Sequence, residues 1–76
     1  MVIKVLGTGC PSCRKLDANV RAAISEAGIE ASVDKVEDLQ KIMEYGVMST
    51  PALVIDDKVV SKGKVLSVGD IRKLIG

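Results

Sequence analysis

Apolar and polar positions along this chain follow two periods, and the switches between them mark its elements. Met1 to Leu6 is a short apolar run broken only by Lys4 and closed by Gly7, the pattern of a buried strand, β1. After the Gly7-Thr8-Gly9 turn, Pro11 suits the first helical position, where its missing N–H costs no bond, so a helix is expected to open at Cys10. Cys13, Leu16, Val20, Ala23, Ile24 and Ala27 then recur at helical spacing as one stripe, with Arg14, Asp17, Arg21 and Glu26 largely off it. Gly28 supplies the stop for this helix, α1. Ile29, Ala31 and Val33 alternate with Glu30, Ser32 and Asp34, which predicts a strand β2 with one apolar face. Strand, helix and strand make a βαβ unit, whose crossover is right-handed in nearly all proteins.

The second half reads the same way. From Glu37 to Tyr45, Leu39, Ile42 and Met43 sit at helical spacing and Gly46 ends the segment, giving α2. Ala52 to Ile55 is a continuous apolar run, β3; Asp56-Asp57 is a turn pair; and Val59-Val60 opens β4, so the three form a hairpin. Ser67 with Asp70 three residues on has the form of a capping box, and Ile71, Leu74 and Ile75 mark a last amphipathic helix, α3, from Ser67 to Ile75. The predicted order is βαβαββα. A chain of 76 residues without internal repeat or linker is expected to form one domain, residues 1–76.

Composition narrows what such a domain can do. The apolar residues include 11 Val, 7 Ile and 6 Leu against one Tyr and no Phe or Trp, so the core is branched aliphatic. Eleven basic and ten acidic side chains leave a formal charge of +1. That balance lacks the basic surface that phosphate backbones require, and one aromatic builds no stacking platform, so no nucleic-acid partner is expected. No apolar run reaches the roughly 18 residues of a membrane span, and Met1 to Leu6 lacks the charged start and apolar core of a signal peptide, so the expected location is cytoplasmic. The absence of His removes imidazole-based catalysis and imidazole metal ligands together.

Cys10 and Cys13, the two cysteines, hold what chemistry remains. They are too close in sequence to staple a fold, because stabilisation by loop closure grows with loop length. At i and i+3 on a helix start they are neighbours, within the Cα separation of about 4.4 to 6.8 Å that a disulfide allows. The thiolate is the reactive form, and a helix N-terminus favours an anion by about 0.3 to 2 kcal/mol, against about 1.36 kcal/mol per pKa unit. Cys10 is therefore expected to attack a partner disulfide, and Cys13, on the buried stripe one turn inside, to resolve the mixed disulfide that forms. Arg14 and Lys15 in the first turn read chiefly as solvated charges. Two thiolates also suit Cu(I), which takes few soft ligands, so a Cu(I) or other soft-metal binding module is the alternative. Met43 is expected on the core stripe, leaving Met48 as the thioether nearest the cysteines. Tyr45 is expected to pack at the end of α2.

Tyr45-Gly46-Val47, three residues, and then Pro51 ahead of the strand Ala52 to Ile55 resembles the thioredoxin fold, as it occurs in small thioredoxin-like and glutaredoxin-like redox proteins of prokaryotes. The resemblance continues through the hairpin to Gly63 and the last helix. It implies an α/β fold of thioredoxin type, with a mixed four-stranded sheet and helices on both faces. It also implies that Pro51 is a cis-proline facing Cys10 and Cys13, and that Thr50 offers backbone to a substrate chain, with Pro11 and Ser12 beside it in the substrate contact. The implied activity is that of a monomeric thiol:disulfide oxidoreductase with no bound cofactor and no metal. Its partners would be disulfide-containing proteins or small-molecule disulfides and an unidentified reductase or thiol donor. Metal carriers that share the Cys-x-x-Cys motif end in a strand, whereas this chain is predicted to end in a helix. It also departs from the thioredoxin pattern: no Trp precedes Cys10, β1 has no acid of the kind that assists resolution, and the motif carries the glutaredoxin proline without its tyrosine.

Overall fold

The computed structural model describes residues 1–75. The elements follow the expected order: β1 (Val2–Leu6), α1 (Pro11–Ala27), β2 (Ser32–Val36), α2 (Leu39–Glu44), β3 (Ala52–Ile55), β4 (Lys58–Lys62) and α3 (Val68–Ile75). The strands form one sheet in the order β2-β1-β3-β4. β1 runs parallel to β2 and antiparallel to β3, and β3 runs antiparallel to β4, so the sheet is mixed.

β1 and β3 lie in the middle and are covered on both faces, which is why their sequences are nearly unbroken apolar runs. On one face Ile3, Val5, Leu53 and Ile55 meet Leu16, Val20 and Ala23 of α1 and Ile71 and Ile75 of α3. On the other, Leu6, Ala52 and Val54 meet Ile42 of α2 and Val47. Helices thus cover both faces, as the fold type requires. Lys4, the one charge in β1, points to the α2 side and donates to Tyr45 Oη at 2.8 Å. Its ammonium lies 5.5 Å from the ring centroid, about the sum of the bond length and the ring's own centre-to-oxygen distance. The ammonium is therefore at the ring edge, where it makes a hydrogen bond, rather than over the face as a cation–π contact requires. The bond to Tyr45 is the main reason Lys4 is held above the ordinary lysine value; the phenol's charge, Asp57 and Asp34 add to it, and desolvation opposes. Because protonation favours the fold here, this contribution is complete below the ordinary value of 10.5 and is lost as pH rises through the folded-state value.

The ends of the elements are set locally. Gly28 caps α1 with φ of 65°, in the left-handed region, and its N–H bonds to Ile24 and Ser25 carbonyls. Asp38 opens α2, its carboxylate accepting from Gln40 N–H at 2.9 Å. Ser67 Oγ accepts from Asp70 N–H at 3.2 Å, so Ser67 caps α3 from just outside it. Asp56 and Asp57 have φ of 48° and 67°, the backbone of a two-residue hairpin turn whose twist matches the strands. Leu53 pairs with Ser61 and Val54 with Val59, which leaves Val60 as an extra, bulged residue in β4.

Four expectations are corrected. β2, Ser32–Val36, begins three residues later and ends two residues later than its alternating pattern predicted. Its parallel register, Val2 with Ser32 through Leu6 with Val36, fixes the strand, and Ile29 and Ala31 pack on the core from the segment leading into it. Leu39 and Met43 do not join Ile42 in the core but are 61% and 60% exposed. A helix of six residues offers the sheet only one narrow contact, and Ile42 with Val47 fills it. Leu74 is likewise exposed, α3 being anchored through Ile71 and Ile75. Asp17, placed off the stripe, is buried beside Cys13 and Val20, with Lys35 from β2 paired to it.

These burial differences give opposite expectations for two residues of similar size. Leu53→Ala should cost about 2 to 5 kcal/mol of stability, whereas Met43→Ala should stay within about 0.5 kcal/mol. Urea unfolding of the two variants reads both values, and equal losses would contradict the described packing of α2.

Candidate active site

Leu6 is the last residue of β1, and the chain turns at once into the helix that carries both cysteines. Gly7 is buried and its N–H still bonds to the Val36 carbonyl at 2.9 Å, so the turn leaves directly from the sheet. Cys10 has the extended backbone of an N-cap, and its Sγ accepts from Cys13 N–H at 3.3 Å. Pro11 follows at the first position of the helix, and Arg14 N–H closes the first turn on the Cys10 carbonyl at 3.1 Å. Cys10 and Cys13 form a disulfide, with Cα atoms 5.1 Å apart.

The two sulfurs differ in setting. Cys10 is partly exposed, with Pro11 and Ser12 exposed next to it, whereas Cys13 is 6% exposed and belongs to the buried stripe of α1. A thiolate at Cys10 gains the N-terminal end of a helix of 17 residues and the Cys13 N–H bond. The first turn contains no acid to oppose it, and Arg14 and Lys15 are cations. Beside Cys13 a cavity of about 340 Å³ opens between the Gly7 to Gly9 turn, Arg14, and Lys35 and Glu37 at the end of β2.

Pro51 reaches the cysteines from the other side. The Leu6 with Ala52 pairing sets Gly7 opposite Pro51, and the Thr50–Pro51 peptide bond is cis. A Cβ built on Gly7 would overlap Cys13 Sγ, lie 3.1 Å from Cys13 Cβ and stand 4.0 Å from Pro51 Cα. Gly7 therefore occupies the gap between the buried sulfur and the proline. Pro51 is buried and its carbonyl accepts from Gly63 N–H at 2.8 Å; Thr50, just before it, is exposed. Of the residues singled out in the sequence, Cys10, Pro11, Ser12 and Cys13 form the helix start and Pro51 stands across Gly7 from Cys13. Met48 is 92% exposed, and Tyr45 packs on the opposite sheet face from α1 with Lys4. Sequence reasoning missed Gly7 as a contact residue; its signal was a glycine between a buried strand and the cysteines. It also missed Lys35 of β2, which lines the cavity beside Cys13.

Among the described residues there is no group of three or more His, Cys, Asp or Glu side chains arranged to hold a metal ion, and no helix long and apolar enough to cross a membrane. Fold and site define a small protein built around one reversible dithiol. A family profile described as a thioredoxin domain matches residues 1–76. The chain is 42% identical over 73 residues to a thioredoxin of Methanocaldococcus jannaschii, covering 96% of this chain and 84% of that protein. It is 36% identical over 75 residues to a thioredoxin of Methanothermobacter thermautotrophicus, covering 99% and 97%. It is also 36% identical over 69 residues to a probable thioredoxin of Archaeoglobus fulgidus, covering 87% and 75%. The chain belongs to the thioredoxin family, and it is a thiol:disulfide oxidoreductase with a Cys-x-x-Cys motif that acts on disulfide substrates.

The Gly7 contact is testable without touching a cysteine. Gly7→Ala forces Cys13 Sγ or the strand end to move, and overpacking of this kind costs about 1 to 3 kcal/mol. Unfolding of the oxidised variant should show that loss, and full stability would mean that Gly7 and Cys13 are not in contact.

Proposed function

We propose that Cys10 is the attacking thiol and Cys13 the resolving thiol of a single 1–76 domain that works as a monomer. The observation that supports this most is the unequal exposure of the two sulfurs at one helix start. Cys10 thiolate attacks one sulfur of a substrate disulfide; a bond forms between them, and the other substrate sulfur leaves with the bonding pair and takes a proton. Cys13 then loses its proton and attacks Cys10 Sγ. The mixed disulfide breaks, the substrate departs as a dithiol, and the Cys10–Cys13 disulfide remains. The protein's two electrons have passed to the substrate, and a reductase or thiol donor must return them.

The exposed rim of Pro11, Ser12 and Thr50, with Pro51 behind it, is the surface on which an extended substrate backbone would lie. Nothing in this scheme needs a dissociable cofactor, because the thiols carry both electrons. Disulfide-containing proteins and small-molecule disulfides are the substrate classes. The reducing cytoplasm is the compartment in which such a dithiol is recharged.

Two measurements test the assignment. In the reduced protein Cys10 should alkylate with iodoacetamide at neutral pH well ahead of Cys13, its apparent pKa lying below the free-thiol value of about 8.5. Equal, slow labelling of both would remove the basis for the roles. Cys13→Ser should accumulate a mixed disulfide with substrate through Cys10, resistant to release until an external thiol is added. Accumulation on Cys10→Ser instead would reverse the order.

A further inference from the structure

Charge is not spread evenly along this chain. Residues 58–76 hold five cations and one acid, whereas residues 1–57 hold six cations and nine acids, so the net charge of +1 conceals a basic C-terminal quarter. The fold gathers that quarter into β4, the loop after it and α3, at one edge of the sheet. Lys62, Lys64 and Lys73 line one cavity there, of about 470 Å³, with Asp70 as its single acid. Arg21, Lys35 and Arg72 are each paired with a carboxylate, but among the described residues these three lysines are paired with none.

The same cavity has apolar walls. Val60 and Leu74 line it and are left 38% and 47% exposed, Val60 as the bulged residue of β4 and Leu74 because α3 is anchored through Ile71 and Ile75. Ser61, next to Val60, also lines it, and its buried Oγ has no hydrogen-bond partner. A buried donor without an acceptor is unfavourable, and an acceptor entering the cavity relieves it once the side chain turns about its Cα–Cβ bond. The loop that carries Lys64 is pinned at three points. Gly63 N–H bonds to the Pro51 carbonyl at 2.8 Å, Asn19 Nδ2 of α1 donates to the Leu66 carbonyl at 2.9 Å, and Ser67 caps α3.

This cavity adjoins the redox site. Lys62 and Lys64 flank Gly63, which is bonded to Pro51, so the basic surface begins where the rim formed by Thr50 and Pro51 ends. A chain lying with its disulfide at Cys10 can continue past Thr50 and Gly63, both exposed, onto β4 and α3. We propose that the cavity docks an acidic segment of the substrate protein, its carboxylates meeting Lys62, Lys64 and Lys73 while an apolar side chain covers Val60 and Leu74. The apolar walls favour a protein over a phosphate backbone, which has no apolar group to place there. Exposed ion pairs are individually weak, so the charge acts chiefly by raising the rate of productive encounter. This inference rests on the assignment of Cys10 as the attacking thiol and names the class of substrate that reaches it.

The test measures the second-order rate at which the reduced protein is oxidised by two synthetic peptide disulfides, quenched with acid and read by mass spectrometry. Both peptides carry the same leucines in flanks of about ten residues, enough at about 3.3 Å each to cross the molecule. One has Asp and Glu in its flanks, the other Lys. At about 0.01 M salt, where the Debye length is about 30 Å, the acidic peptide should react about tenfold faster or more, and at about 1 M salt the difference should vanish. The double variant Lys64→Glu, Lys73→Glu should reverse the preference. Lys41→Glu with Lys58→Glu, the same change in net charge away from the cavity, should retain it. All of these proteins should reduce bis(2-hydroxyethyl) disulfide, which is neutral and small, at the parental rate. Equal rates with the two peptides would overturn the proposal on the parent protein alone. So would a preference that survives in the cavity variant or is lost equally in the control variant. Displacement of the acidic peptide by a DNA duplex at physiological salt would assign the cations to phosphate and overturn it too. Reduction of the neutral disulfide by Cys10→Ser would instead overturn the underlying role of Cys10.

Discussion

The pairing of Leu6 with Ala52 is the contact on which the site depends. It joins the last residue of β1 to the first of β3 in antiparallel register, so the next step along both strands brings Gly7 opposite Pro51. The turn that leaves Gly7 must then place α1 on the sheet face occupied by Val5 and Leu53, which delivers Cys13 to the gap beside Gly7. Two segments some forty positions apart in the chain meet because a buried strand cannot leave its backbone groups unpaired. The register itself is held by burial: a slip of one residue would turn Val5 and Leu53 to the wrong face and expose the aliphatic core. The position of the thiols is thus a consequence of hydrophobic patterning in β1 and β3 rather than of any interaction made by the cysteines.

Much of this was legible in the sequence, and what was not has a physical reason. The helix start at Cys10-Pro11, the two-residue turn at Asp56-Asp57 and the Ser67 cap are local devices whose residues carry their own signal. β2 was misplaced because it is an edge strand whose register is set by β1, a partner some thirty residues away, and alternation in Ile29 to Asp34 belongs to the approach to the sheet. α2 was read too long and too deep, since periodicity shows which residues share a face but not how much of that face finds a partner; Leu39 and Met43 share the stripe and stay in solvent. Asp17 was placed off the stripe, and its pairing with Lys35 of β2 joins residues on two elements, which a helical period cannot show. The cysteine pair was readable as chemistry, whereas Gly7 became part of the site only through the strand pairing that carries it there.

The asymmetry of the two thiols is a matter of competing magnitudes. A helix N-terminus favours a thiolate at Cys10 by about 0.3 to 2 kcal/mol, and a charge-assisted hydrogen bond from Cys13 N–H adds to it. Arg14 and Lys15 oppose the helix dipole by a few tenths of a kcal/mol, a small cost that turns into attraction once a thiolate is present. At Cys13 burial disfavours the charged form, and one turn separates the two environments. On the proposed roles, the same short stretch of helix holds the attacking sulfur at the exposed helix start and the resolving sulfur one turn inside, on the buried stripe.

For such a site to cycle, the fold must tolerate both redox states, and the arrangement of its stabilising contacts explains how it does. In the loop-entropy account a disulfide closing a four-residue loop contributes about 2 kcal/mol, against about 4.7 kcal/mol for a hundred-residue loop. The remainder of the stability comes from the two aliphatic clusters on either side of the sheet, whose members lie on β1, β3 and the three helices, apart from Val47 between α2 and β3. Only Cys13 joins that buried set, at its edge, while Cys10, Pro11 and Ser12 add almost nothing to it. Opening the disulfide consequently removes a local constraint at one helix end and leaves the core intact, so exchange can be repeated without refolding the chain.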